Sequence, residues 1–197
     1  MSIPSNQIGN KYPLDNEIPN SLIGYDATNH TMQCIPGITV ANGLITNTNS
    51  PSFLAYWASN ATNVTGDGTV YTLTTTTKVY DNKNNWNGST FTAPNYDDNY
   101  RFDVCLRLSG FLALTTNLIL YAQTTSQMCY ICNLNITSLI LSGGYLAIGS
   151  TPVMRVLANQ TVQFKLQVSG AVGLGKVISV VGGTLTSGPS QISGYRV

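Results

Sequence analysis

Histidine-dependent chemistry has a single residue to draw on. The 197-residue sequence contains one histidine, His30. A Ser-His-Asp or Cys-His constellation would have to recruit it from a segment without regular pattern. No G-x-S-x-G elbow exists to present a serine nucleophile. Four cysteines occur, Cys34, Cys105, Cys129 and Cys132. Cys129 and Cys132 form a C-x-x-C, but the helix that a redox motif needs does not follow, and a zinc site would need two more ligands nearby. Strand residues three apart face opposite ways, so these cysteines read as buried free thiols. The eight acidic residues offer no carboxylate pair in a cleft, because Asp97, Asp98 and Asp103 fall in a turn and at a solvent-facing strand position. Asn95, Asp97, Asp98 and Asn99 make an oxygen-rich turn that suits calcium, without EF-hand spacing, and a plain Asn/Asp turn explains them equally. Gly173-Leu174-Gly175-Lys176 matches only part of a phosphate loop and reads as a hairpin turn. The expectation is a protein that is not an enzyme, with no catalytic or cofactor-binding residues and no required metal.

Composition narrows the remaining classes. Charged residues make up 9% of the chain, against roughly a quarter in ordinary proteins. Asn, Ser, Thr and Gly take their place and favour strands and turns. Net charge is +1, with no basic stripe, which excludes an electrostatic footing for nucleic acid. No apolar run reaches the roughly 18 residues of a membrane helix, so no membrane insertion is expected. The N-terminal residues show no basic start followed by an apolar stretch. The expectation from this is a chain that stays in the cell or is assembled into a particle there.

The elements that would position any site are strands. Residues 1–50 are interrupted by Pro4, Pro13, Pro19 and Pro36 and read as an irregular, extended anchor or arm, with one or two short strands within 37–46. Residues 51–197 read as one head domain of successive strands and turns. In 100–108, Tyr100, Phe102, Val104, Leu106 and Leu108 alternate with Arg101, Asp103, Cys105 and Arg107. In 161–168, Val162, Phe164, Leu166 and Val168 alternate with polar residues. Period two marks half-buried strands. Further strands are expected at 52–59, 63–74, 89–93, 114–123, 128–134, 137–141, 152–157, 177–181 and 194–197. No amphipathic helix, repeat or heptad interrupts them. This spacing means an all-β sandwich or barrel.

One stretch is more specific than composition. Trp86-Asn87-Gly88-Ser89-Thr90-Phe91-Thr92-Ala93-Pro94, followed by Tyr100-Arg101-Phe102, resembles the signature of the globular head of the q subunit of the first complement component. That head belongs to the tumour-necrosis-factor-like jelly rolls. Ile192-Ser193-Gly194-Tyr195-Arg196-Val197 resembles the family's closing strand, and Val156 to Val162 its turn before a strand. The sequence departs from the pattern in a longer turn at Asn95–Asn99, in Ile192 where an aromatic is usual, and in lacking a Gly-X-Y stalk.

The resemblance covers residues 51–197. It implies a jelly-roll β-sandwich of about ten strands that assembles as a homotrimer. By the same analogy Tyr100, Phe102 and Tyr195 are trimer-axis or core candidates. Trp86 and Tyr96 read as receptor-contact candidates. The functional expectation is a non-enzymatic structural and binding protein of a virion surface, a fibre, spike or head-decoration trimer of a phage or other virus, assembled in the host cytoplasm. Residues 1–50 would dock on capsid or tail proteins, and the head would meet a host receptor or glycan. The alternative is a cellular or secreted trimeric binding module of the complement-head kind.

Overall fold

The structure, a computed structural model, describes residues 21–26, 31–41, 44–47, 50–136, 144–171 and 173–197, the first three stretches as backbone alone. His30, the Cys34 side chain and the strand expected at 137–141 lie outside the described residues. The chain divides into two compact units, Met1–Ser50 and Pro51–Val197.

In the first unit, β1 (Ser21–Asp26), β2 (Thr31–Ala41) and β3 (Leu44–Asn47) form an antiparallel sheet in the order β1-β2-β3. The end of β2 and β3 fall where short strands are expected. β1 and the start of β2 are not signalled by the proline-broken sequence. Between the pairs Ser21 with Thr39 and Ile23 with Cys34 the register slips. The extra residues in β2 include Pro36 and Gly37. A bulge is where a strand tolerates a residue that cannot donate to the ladder.

The second unit is an all-β jelly-roll sandwich of two antiparallel sheets. Its strands are β4 (Ser52–Tyr56), β5 (Ala61–Thr65), β6 (Val70–Thr72), β7 (Thr77–Asp81), β8 (Thr90–Thr92) and β9 (Asp98–Ser109). They continue with β10 (Asn117–Gln123), β11 (Met128–Asn135), β12 (Tyr145–Ser150), β13 (Met154–Val156), β14 (Thr161–Ser169), β15 (Ile178–Val180) and β16 (Gln191–Arg196). The larger sheet runs β5-β15-β9-β16-β4-β7, with β12 and β13 on the other edge of β9. The smaller runs β11-β10-β14-β6, with β8 also on β14. The chain crosses between sheets repeatedly, at each step from β5 to β10, from β11 to β12 and from β13 through β14 to β15, so most neighbours in a sheet are distant in sequence, as in a jelly roll.

The period-two strands place the core. Tyr100, Phe102, Val104, Leu106 and Leu108 of β9 are buried, as are Val162, Phe164, Leu166 and Val168 of β14. At one end of the core six aromatic rings pack in series: Phe53, Trp86, Phe91, Tyr100, Phe102 and Phe164. Gly194 of β16 sits beneath two of them, and a Cβ there would come within 2.5 Å of Phe102 and 2.6 Å of Phe53.

Three features depart from the expectation. β12 falls between the strands expected at 137–141 and 152–157. The turn at Gly173–Lys176 is no hairpin, since it joins β14 of the smaller sheet to β15 of the larger. β11 carries a bulge: Leu120 opposes Cys132 and Tyr121 opposes Tyr130, leaving Ile131 over. That extra residue meets β12, where a Cβ on Gly149 would lie 2.7 Å from the Ile131 side chain. Gly149 thus lets the edges of the two sheets close on each other.

The first and last strands of the sandwich are neighbours. Ser52 opposes Tyr195, the Arg196 N–H donates to the Pro51 carbonyl, and the Val197 N–H donates to the Asn99 carbonyl. Both ends of this unit therefore lie at the Asp98 end of β9.

Candidate functional site

With the core facing inward, the two outer faces of the sandwich differ in chemistry. On the smaller sheet, cross-strand rows read Tyr130, Tyr121, Lys165, Thr72 and Met128, Gln123, Gln163. These side chains satisfy each other: Lys165 Nζ donates to Thr72 Oγ1 at 2.8 Å and Gln163 Nε2 to Thr90 Oγ1 at 3.3 Å. Tyr121 lies under Tyr130, with ring centroids 6.1 Å apart.

The larger sheet presents a more apolar outer face. One row reads Tyr56, Gln191, Cys105, Ile148; the next reads Tyr80, Leu54, Ser193, Asp103, Ser150. Leu146 stands opposite Arg107, and Tyr195 opposite Arg101. Ile148 is 64% exposed and Leu146 50%. Isolated exposed leucines are ordinary, but large apolar side chains gathered across one sheet face mark a contact surface. At the centre Ser150 donates to the Asp103 carboxylate.

A groove of about 710 Å³ runs along this face at the far end of β9, walled by Leu108, Tyr145, Leu146, Val181, Leu185 and Pro189, with Arg107 inside. A smaller hollow of about 250 Å³ continues it past Cys105 and Gln191 toward Ser150 and Ser193. The short 3-10 turn Leu185–Ser187 overhangs the groove. Arg107 Nη1 donates to the carbonyls of Ser187 at 2.9 Å and Gly188 at 3.1 Å, which fixes both the turn and the guanidinium.

The residues singled out in the sequence are scattered by the fold. Tyr100 and Phe102 lie inside the sandwich, fully buried. Tyr195 lies on the outer face of the larger sheet and is 41% exposed. Trp86, read as a receptor contact, is instead 1% exposed. The Asp81 carboxylate accepts the N–H groups of Asn85 and Trp86 and folds the Asn-rich turn inward. The indole then stacks on Phe53 at 4.8 Å and its Nε1 donates to Thr75 Oγ1 at 2.9 Å. Tyr96 is partly exposed, with the Arg196 guanidinium 5.8 Å above its ring.

The carboxylates of the Asn95–Asn99 turn are turned to arginines. Asp97 accepts from Arg155 Nη2 at 3.1 Å and from the Ala158 N–H at 2.9 Å. The Ala158 N–H, then Arg155, hold the Asp97 carboxyl below its ordinary range. Asp98 pairs with Arg196 Nε at 2.5 Å. The two carboxylates of this turn thus face guanidinium groups on β13 and β16. Among the described residues, no three His, Cys, Asp or Glu side chains gather as a metal site.

The bulge in β11 corrects the reading of the C-x-x-C. Cys132 and Cys129 oppose Leu120 and Ala122, both buried, so the two thiols share the inner face. Both thiols, with Cys105, are free, and burial pushes each one's ionisation up. The three are half-buried rather than buried as expected, and Cys105 lines the groove on the larger sheet.

Tyr100 carries a measurable consequence. Its hydroxyl is buried without a hydrogen-bond partner. Burial, reinforced by Tyr96 and Asp98, pushes its ionisation from 10.0 up to about 12. A proton held more tightly in the fold stabilises it fully below pH 10.0, and that contribution is lost as pH rises towards about 12. Tyr100→Phe should leave neutral-pH stability intact or raised and flatten the alkaline decline. Urea midpoints between pH 8 and 11 check this, and parallel declines in both proteins would refute it.

The residues that distinguish the outer face, Leu54, Tyr56, Tyr80, Leu146 and Ile148, were not singled out from sequence. A signal did exist at β12, where the large residues fall on alternate positions but point away from the core.

No family model and no curated protein matches this sequence. Among solved structures, crystal structures of murine APRIL at pH 8.5, pH 8.0 and pH 5.0 are similar to this chain. Identity is 6–7%, 76% of this chain and 100% of the other are covered, and TM-scores are 0.48–0.49. The jelly-roll assignment rests on the strand order described above.

Proposed function

We propose that this protein is a non-enzymatic, homotrimeric binding and structural module. The observation that carries this is the chemical asymmetry of the sandwich. The smaller sheet's outer face carries a hydrogen-bonded polar row beside Val70, Met128 and Tyr130, while the larger sheet gathers Tyr56, Tyr80, Leu146, Ile148 and Tyr195 around a groove that no other described residue of the head fills. Association through the larger sheet would remove Leu146, Ile148, Tyr56 and Tyr195 from water. It would also screen the β12 and β7 edges, which have no further strand partner among the described residues. The trimeric state itself comes from the resemblance carried by Phe91 to Phe102 and Ser193 to Tyr195.

In this reading the trimer is a fibre, spike or head-decoration protein of a virion, with Met1–Ser50 as the attachment segment and the head presented to a host receptor or glycan. The low charge, the Asn/Thr/Gly-rich composition and the arm-then-head order support it by analogy.

Light scattering at micromolar concentration should give a mass near three times 21.1 kDa. Ile148→Glu should return monomers that remain folded by circular dichroism. A monomeric wild-type protein would refute the trimer. A chain lacking residues 1–50 should stay folded but fail to join its particle. Recovery of the native protein on cells or free in solution, with no particle, would favour the complement-head-like alternative.

A further inference from the structure

The groove on the larger sheet holds one charged side chain, Arg107, and no carboxylate among its lining residues. The head's other arginines are each matched. Arg101 lies 3.7 Å from Asp103, Arg155 3.1 Å from Asp97 and Arg196 2.5 Å from Asp98. Asp81 is taken by Lys78 at 3.3 Å. Of the head's five aspartates and four arginines, this leaves Asp67 and Arg107 without an ion-pair partner among the described residues.

The two sit at the same end of the sandwich. Ser109 of β9 opposes Ser179, and the adjacent Ile178 opposes Thr65, two residues before Asp67. Arg107 is two residues before Ser109 on the same end of β9. Asp67 lies in the turn between β5 and β6, where one carboxylate oxygen accepts the Thr69 N–H at 2.9 Å. Hydrogen bonds from Thr69, and lastly the charge of Lys176, hold its carboxyl below the ordinary range.

We infer that in the assembled protein Asp67 of one subunit enters the groove of the next and pairs with its Arg107. This rests on the trimeric reading above. In a closed ring of parallel subunits, two different patches of the chain meet at equal height along the axis. Covering the groove with an apolar surface alone would strand a desolvated guanidinium, which is costly unless a carboxylate arrives with it. The two carbonyls that hold Arg107 keep its remaining nitrogens oriented for that carboxylate.

The test measures trimer dissociation on dilution for the full chain. Asp67→Asn keeps the acceptor for Thr69 and removes the charge. It should raise the dissociation midpoint about tenfold, as should Arg107→Glu. The swap Asp67→Arg with Arg107→Glu should restore assembly to within about threefold of wild type. Urea midpoints check that each variant folds. A trimer indifferent to Asp67→Asn overturns the pair and leaves the trimer standing. A wild-type protein that never leaves the monomer overturns the trimeric reading itself, and the pair falls with it.

Discussion

Gly194→Val will cost the head about 3 kcal/mol or more, at the upper end of what overpacking costs in a core. Gly194 lies on β16 between Phe53 of β4 and Phe102 of β9, directly opposite both. A Cβ would come within 2.5–2.8 Å of ring atoms of those two side chains. Neither ring can retreat. Phe53 is stacked on Trp86 and Phe102 is held edge-on by Phe91 and Phe164. Its backbone conformation is ordinary for a strand, so strain at φ plays no part and the effect is steric. Urea unfolding of the variant should show a collapsed midpoint or an unfolded baseline. Gly194→Ala should fall between the two proteins, and a Gly194→Val midpoint within error of wild type would defeat the packing argument.

Trp86→Ala comes next, at about 3–5 kcal/mol. The indole fills space between the two sheets, stacks within 4° of the Phe53 plane and faces Phe164 at 5.9 Å. Its loss also leaves Thr75 Oγ1 without the donor that reaches it at 2.9 Å. Trp86→Phe separates the two contributions, because it keeps a ring against Phe53 and gives up the hydrogen bond. That variant should lose roughly 1–2 kcal/mol. A Trp86→Ala head as stable as wild type would return this residue to the surface role first read for it.

The legible part of this fold is the part with strict period two. β9 and β14 announce themselves because large apolar residues alternate with polar ones and fill a core from opposite sheets. β12 does not, because its alternation is reversed: Ala147 and Gly149 point inward to make room for the β11 bulge, while Leu146 and Ile148 point out. A pattern rule that sends large side chains to the core misreads a strand that carries them on its outer face. The C-x-x-C failed for a related reason. The one-residue slip at Ile131 has no marker in the sequence, yet it moves Cys129 and Cys132 to one face. Trp86 was misplaced because an Asn-rich turn looks solvent-bound until the Asp81 carboxylate is seen folding it back. The outer-face site was hidden because it draws a few residues each from β4, β7, β9, β12 and β16, far apart along the chain and joined only by register.

The adjacency of Ser52 and Tyr195 governs how this head can be handled genetically. Anything attached after Val197 leaves beside Pro51, so an appended label or enzyme would crowd the entry strand and spare the pole that carries Arg107 and Asp67. The same arrangement makes the head a cassette. With its two ends side by side, it could be spliced into a surface loop of an unrelated protein without pulling that loop apart.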